Sequence, residues 1–441
     1  MMELKNGSKI AIVGGGPAGA FSAFFLLDLA KQVDLDIQVD IFEPRDFTLT
    51  GPRGCNMCGG VISESLVQKF ASDGIHLPDN VLIDTIDAYT LHTDSSSVRI
   101  KAPKNEKRIA CIFRGAGPKG AENQLPIPWS SFDDHLLSLA IEKGAEHFKT
   151  RVTGIAWDRG RPRLSWGENN HTTYDLVVGC VGLNSPALKL FIDLDFGYKP
   201  PKSTKAYVSE LYFGEYEVVR LLEHSMHVFL LNIPGVKFIA ITPKGDYATM
   251  IILGDNIDQN LVKQVFQAPE VQKCLPVGWE VPVQTCHCQP HINIGAPSNP
   301  FGDRVVLVGD CSSSRLYKDG IGAAYRLAKA MAYAAISHGV EKESFRRFYQ
   351  PACSKLDWDN RLGHIIFFGD SLMRPATFIQ EAILAVIKEE QNREDTTPRL
   401  SAALWDTFTG SSSYKKIIIS SMYPMVVFKL IWHSVKRLFG V

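Results

Sequence analysis

Two periods of apolar and polar residues take turns along the chain. Lys9 to Val13 is a short apolar run of β-favouring residues, Gly14 to Gly19 a glycine turn, and Ala20 to Lys31 a segment apolar on most faces, the pattern of a buried helix. Ile37 to Phe42 then alternates as a strand and ends at Glu43. The first segment therefore predicts a βαβ unit, not a signal or anchor segment, since four glycines and a proline interrupt the apolar run.

Farther on, Ser63 to Ser72 reads as helix, and Ile86 to Arg99 and Arg108 to Phe113 as strands followed by the loop "RGAGPKGAENQLP". Ser130 to Glu146 carries a full helix signature: a Ser cap, Asp in the first turn, apolar residues at helical spacing and Gly144 near the stop. Val152 to Trp157 and Asp175 to Val181 read as strands. From Lys205 to about Gln284 the period is mostly two, with "HVFLLNI", "KFIAITP" and "YATMIILG" as half-buried or fully buried strands. Asp303 to Ser314 is another buried strand containing Gly309-Asp310, and Asp319 to Gly339 a long Ala-rich helix. After Glu343 the pattern is mainly helical, broken by an exposed connection from Lys388 to Pro398.

Composition narrows the classes. Lys+Arg and Asp+Glu both total 47, so no global field recruits nucleic acid. Nine cysteines, an odd number scattered from Cys55 to Cys353, predict reduced thiols in a cytoplasmic compartment.

The glycine turn supplies the first chemistry. Gly14-x-Gly16-x-x-Gly19, with Pro17 and Ala18 between, follows a strand and opens a helix, and Glu43 stands 24 positions past Gly19 at the end of the next strand. In that setting Gly14 permits the tight turn, Gly16 lets backbone approach a pyrophosphate, Gly19 lets helix and strand pack closely, and Glu43 binds ribose hydroxyls. A second Gly-Asp strand end, Gly309-Asp310, precedes the helix start Gly320-Ile321-Gly322. Asp310 suits a ribityl hydroxyl and the helix dipole the flavin pyrimidine edge, which favours FAD over NAD. The expected fold is α/β: a Rossmann-like FAD-binding domain (1–200, returning at 291–345), an inserted β-rich substrate domain (201–290) and a helical C-terminal region (346–441).

The stretch "GPRGCNMCGGV", Gly51 to Val61, has three readings: a redox cysteine pair, half of a metal site, or a loop of small residues passing close to a flat ligand. "TCHCQPH" adds Cys286, His287, Cys288 and His291, but its spacing is unlike a zinc knuckle and strand alternation sets His287 opposite both cysteines, so no metal is expected. His224 and His227 flank an apolar β run and read as solvent-facing. Tyr317 and Lys318, just before the glycine helix, are candidates for contact with cofactor or substrate.

At these residues the chain resembles the flavoprotein superfamily of p-hydroxybenzoate-hydroxylase fold, and within it the geranylgeranyl reductase family. "VGGGPAGA" with Glu43, "VGDCSSS…DGIGAA", "YDLVVGCVGLNS" and "IPGVKFIAITPKGDYATMIILG" carry the resemblance. It departs where the family's substrate-domain signature meets Phe238, Ala240 and Thr242, and where Val181 replaces an acidic residue. The resemblance implies that Cys58-Gly59-Gly60 lines the flavin, that Cys58 is a catalytic or proton-donating thiol, and that Phe238, Ala240, Thr242 and Tyr317 line the substrate. It also implies reduction of carbon-carbon double bonds in an isoprenoid or other lipophilic substrate. A flavin monooxygenase, a quinone-linked dehydrogenase and a membrane-associated redox sensor are the alternatives. No second glycine fingerprint for a nicotinamide domain is evident, so the electron donor is NAD(P)H bound transiently, a ferredoxin or another flavoprotein. The C-terminal residues 422–441 read as a basic amphipathic helix, with Lys429, His433, Lys436 and Arg437 on one face, a pattern that fits either peripheral contact with the inner face of a membrane or a helix closing over the protein's own core or a dimer partner.

Overall fold

The computed structural model describes residues 2–104, 107–115, 129–279, 286–393 and 397–439. Most of the loop expected after Phe113 and part of the connection after Lys388 lie outside them. The chain divides into two compact units, each assembled from three stretches: Met1–Asn56, Ser130–Ser203 and His291–Asn360 in the first, and Met57–Trp129, Thr204–Pro290 and Arg361–Val441 in the second.

The first unit is built on a six-stranded sheet in the order Phe301–Gly302, Val305–Leu307, Leu176–Gly179, Ser8–Val13, Ile37–Phe42, Glu146–Phe148. Every neighbouring pair is parallel except the first. Ile10 to Val13, Leu176 to Val178 and Val305 to Leu307 are buried without alternation, as strands covered on both faces are. The helix Pro17–Gln32 packs on the helices Gly320–His338 and Phe132–Glu142, with Phe21 and Phe25 set edge-on to Tyr325. The expected helix from Ser130 to Glu146 is shorter. Ser131 occupies the cap position without a side-chain hydrogen bond, and Gly144, at φ +111°, ends the helix so that Glu146 can open the edge strand.

The second unit contains a seven-stranded sheet in the order His287–Cys288, Tyr207–Tyr212, Tyr247–Gly254, Val236–Lys244, Ser225–Phe229, Ala88–His92, Ser97–Lys101. Here the division departs from the sequence expectation, which placed 57–129 in the first domain. The run from Ile86 to Arg99 is not one strand but a hairpin, turned where Thr93 N–H donates to Ser96 O, and its strand Ala88–His92 pairs in parallel with Ser225–Phe229. A hairpin from early in the chain thus completes a sheet formed mostly by later residues.

Alternation along the sheet separates two faces. Ile239, Ile241, Met250 and Ile252 point to one, covered by the helices Glu215–Leu222, Gln259–Gln267 and Pro269–Gln272. Tyr89, Leu91, Val228 and Ala240 cluster on the other with Leu384, Val386, Leu400 and Trp405. Those last residues belong to the helices Thr377–Gln391 and Arg399–Thr409, so the C-terminal helices are part of this unit's core. The division falls at 360, inside the helix Gln350–Met373, not at the expected 345.

Candidate functional site

In the first unit the glycine motif folds as its spacing requires. Gly14 N–H donates to Phe42 O, and Gly14 adopts φ +103°, where a side chain would stand 2.5 Å from Cys180 O. A Cβ on Gly19 would stand 1.8 Å from Gly14 O, so only glycine lets the helix start so close to the turn. Gly16 is the cap residue of the helix, with extended ψ and no side-chain cap, and Pro17 follows in the first turn. The amide groups of Ala18 and Gly19, in the first helical turn, therefore have no partner of their own within the helix. Beside them Asn56 donates to Asp133, and its Nδ2 lies 3.2 Å from a Cβ placed on Gly16.

Glu43 is buried at the end of its strand. Its Oε2 accepts from Gly15 N–H at 2.9 Å, and its Oε1 accepts from the backbone N–H of Arg45 at 3.0 Å and from Arg45 Nε at 3.1 Å. Arg45 was not singled out by the sequence reading, although the spacing Glu-Pro-Arg was its signal. On the Arg45 side lies a cavity of about 200 Å³ lined by residues that include Phe47, Asp134, His147 and Lys149. Lys149 and Thr48 hold the Asp46 carboxyl at its edge down to about 2.

The return segment meets the first motif directly. Gly309 has φ +86°, and a Cβ there would stand 2.7 Å from the Ala18 Cβ. Asp310 is exposed, with Oδ1 3.6 Å from the Cβ position of Gly320. The helix Gly320–His338 begins, like the Pro17 helix, without a side-chain cap. Its cap residue Asp319 is left-handed (φ +54°), and its carboxylate pairs with Arg326 at 2.8 Å and Arg315 at 3.7 Å. That carboxylate fills the space a side chain on Gly322 would need, while Ile321 is buried. Tyr317 is also left-handed (φ +62°), so Lys318 sits between two strained residues. Burial first, and then the Arg315 charge, hold the Lys318 ammonium well below the ordinary lysine range.

The first unit thus presents two uncapped helix starts, one buried carboxylate at a strand end and one exposed carboxylate at another. No family model matches the chain, and no curated protein matches it. Among solved structures, the flavin-dependent brominase Bmp2 superposes with a TM-score of 0.65 at 13% identity, covering 94% of this chain and 97% of its own. A flavoprotein/dehydrogenase from Cytophaga hutchinsonii gives 0.62 at 12%, covering 99% and 100%. PqsL from Pseudomonas aeruginosa, a probable FAD-dependent monooxygenase, gives 0.56 at 14%, covering 83% and 97%. The fold is that of the flavin-dependent halogenases and monooxygenases. It has the expected α/β class, mixed sheets and a helical C-terminal region.

The residues present fit a dinucleotide that carries a flavin. The Pro17 helix start, with its close glycines, can cradle a pyrophosphate. Glu43 can hold ribose hydroxyls. Asp310 and the Gly320 helix start, pinned to the first motif through Gly309 and Ala18, can hold the other half.

In the second unit the loop Cys58-Gly59-Gly60 lies against the sheet. Lys244 Nζ donates to Gly59 O at 2.7 Å. A side chain on Gly59 would meet Ile251 Cδ1 at 2.2 Å, and one on Gly60, where φ is +62°, would meet Ile112 O at 2.5 Å. Cys58 itself is half-buried, and no cysteine among the described residues is in a disulfide.

Phe238, Ala240, Thr242 and Lys244 share one face of their strand by two-residue alternation, opposite Leu253, Ile251, Thr249 and Tyr247. Phe238 stacks on Phe367, 6.1 Å between ring centres, and Ala240 packs in the core beside it. Toward Lys244 the face turns polar. Glu210 is buried and its Oε2 accepts from Thr249 Oγ1 at 2.7 Å; burial pushes its carboxyl up, against the pull of the Lys244 charge. Thr242 Oγ1 is buried with no hydrogen-bond partner. Sequence reasoning missed Glu210 and Lys244. The signal for Glu210 was an acidic residue inside the apolar run "YVSELYF".

One histidine expectation is overturned. His227 is buried, because its strand is interior to the sheet and every residue of it is covered. Its Nδ1 lies 2.9 Å from His92 Nε2 and 3.2 Å from Cys274 Sγ, and its Nε2 faces Leu222 O at 3.2 Å. These three residues are the group of possible metal ligands whose atoms gather within 4.8 Å among the described residues; Cys286, His287, Cys288 and His291 form no such group. The trio's separations are those of hydrogen bonds, so its polar atoms satisfy one another as a core contact. Burial, the largest cause for both rings, pulls His92 down to about 3 and His227 down to about 4, so both are neutral at pH 7.

Proposed function

We propose that the protein is an FAD-dependent oxidoreductase that reduces carbon-carbon double bonds of an isoprenoid or other lipophilic substrate. The observation that carries the cofactor is the pyrophosphate cradle: an uncapped helix start closed by Gly14 and Gly19, with the Glu43 carboxylate fixed beside it by Gly15 N–H. Gly14, Gly16, Gly19 and Glu43 would hold FAD, which, once reduced by a nicotinamide, a ferredoxin or another flavoprotein, would supply a hydride for one alkene carbon. The protein's part is to hold the cofactor and to deliver a proton to the other carbon.

Two groups in the second unit suit that proton. Cys58 is the one the family resemblance implies. Burial pushes the Glu210 carboxyl up from the ordinary carboxylate range, in a polar face whose Thr242 hydroxyl has no partner among the described residues. Phe238 and Ala240, buried on the same face, and half-buried Ile251 give that face apolar surroundings that suit a lipophilic substrate.

The likeness to halogenases and monooxygenases supports a second reading, oxygen activation on a hydrophobic substrate. The two are separated by reducing the flavin-loaded protein anaerobically and adding prenyl lipids, then oxygen. Flavin reoxidation by the lipid with an equivalent loss of double bonds supports the reductase. Reoxidation by oxygen alone, with a hydroxylated or halogenated product, replaces it with the second reading.

A further inference from the structure

The helix Pro424–Leu438 is mounted the opposite way from a helix on the surface of a soluble protein. Its charged edge faces the protein: Lys429 and His433 reach Glu389 at 3.0 and 3.6 Å, and Arg437 reaches Glu381 at 3.5 Å. Both carboxylates lie on the helix Thr377–Gln391 of the same unit. Its apolar edge faces outward. Met425, Phe428, Ile431, Trp432, Val435 and Leu438 are between 46% and 63% exposed, and Val426 is the buried residue of the helix. A soluble protein places the apolar stripe inward, so the stripe here is built to meet an apolar phase.

Charge and length say which one. From Thr407 to Val441 the chain holds five Lys/Arg and no Asp or Glu. Lys415 and Lys416 are exposed at the start of the preceding helix Tyr414–Ser421, and the Lys436 ammonium lies 5.2 Å from the centre of the Trp432 ring, joining a cation to the apolar stripe. Among the described residues no single helix is long and apolar enough to cross a membrane, and the two terminal helices meet at a 60° bend.

We propose that the outward face of the Pro424 helix lies in the interface of an anionic lipid bilayer, with its apolar stripe among the acyl chains and Lys415, Lys416 and Lys436 at the headgroups. This surface is independent of the cofactor reading, since none of its residues belongs to the dinucleotide site.

The test is flotation of the full chain with vesicles of phosphatidylcholine alone and with phosphatidylglycerol added. A Phe428→Asp/Leu438→Asp variant serves as the probe, and sedimentation velocity is run without lipid. The expected result is a monomer that floats with the anionic vesicles and binds the neutral ones on the order of tenfold more weakly. The variant should lose at least about tenfold in binding to anionic vesicles while keeping its circular dichroism and melting temperature, because both side chains face away from the protein. Wild-type protein that stays in solution with both vesicle types overturns the proposal. So does a lipid-free dimer that the variant dissociates, which would give the stripe to a second copy.

Discussion

Gly19→Ala is the smallest change that separates the cofactor cradle from the rest of the fold. The added Cβ would sit 1.8 Å from Gly14 O, whereas real Cβ atoms stay beyond 3.0 Å. The helix start must therefore move out by roughly an ångström, against buried Phe21, Ala23 and Leu26. Overpacking of this kind costs about 1–3 kcal/mol of stability. The same displacement lengthens the hydrogen bonds from the first-turn amides to a bound pyrophosphate. Bonds to charged groups contribute about 1.5–3 kcal/mol each, so FAD affinity should fall on the order of 10- to 150-fold. Gly182→Ala is the control: its φ is +63° but nothing lies within 4 Å of the new Cβ. It should lose about 1 kcal/mol of stability through backbone strain and leave FAD affinity unchanged. The assays are urea unfolding of both variants and FAD titration followed by flavin fluorescence. If Gly19→Ala binds FAD as tightly as Gly182→Ala does, the Pro17 helix start does not hold the cofactor.

Further consequences follow from buried groups in the second unit. Burial raises Glu210 in the folded chain, so its contribution to stability is full below the ordinary Glu value of 4.5 and is lost as pH rises through the folded value. Glu210→Gln should remove that loss, and a urea midpoint falling with rising pH as steeply in the variant as in the wild type would mean that burial does not raise Glu210. His92 and His227 titrate in the opposite sense. Their folded values, about 3 and about 4, lie below 6.5, so stability present above 6.5 falls as pH drops through that window, by on the order of several kcal/mol for the pair. A His227→Asn variant should show a flatter acid limb; an unchanged one would mean that these rings are not buried neutral. Cys58→Ser should keep FAD binding and slow substrate reduction by about 10²-fold or more if the thiol is the proton donor. Turnover lost in Glu210→Gln and retained in Cys58→Ser would move that role to Glu210.

What could be read from sequence was whatever short-range geometry decides. The strand, glycine turn and helix from Lys9 to Lys31 lie in one continuous segment, and so does the Gly320 helix. Their glycines are demanded by local backbone, as Gly14 at φ +103° shows. The shared face of Phe238, Ala240 and Thr242 also followed from strand period alone. Pairings made across long separations were hidden. Nothing in "AYTLH" says that it will lie beside Ser225–Phe229, so neither the membership of 57–129 in the second unit nor the burial of His227 beside His92 was legible. The Pro424 helix shows the same limit in another form. Its spacing placed Lys429, His433, Lys436 and Arg437 on one side, but Glu381 and Glu389 on a different helix take Lys429, His433 and Arg437, while Lys436 lies over the Trp432 ring.

The central claim is that the first unit holds FAD, and the visible spectrum of the purified protein tests it most directly. The account predicts the two absorption bands of a protein-bound flavin, with FAD released on denaturation in an amount equal to the protein. A colourless protein that gives no fluorescence change when titrated with FAD would contradict it.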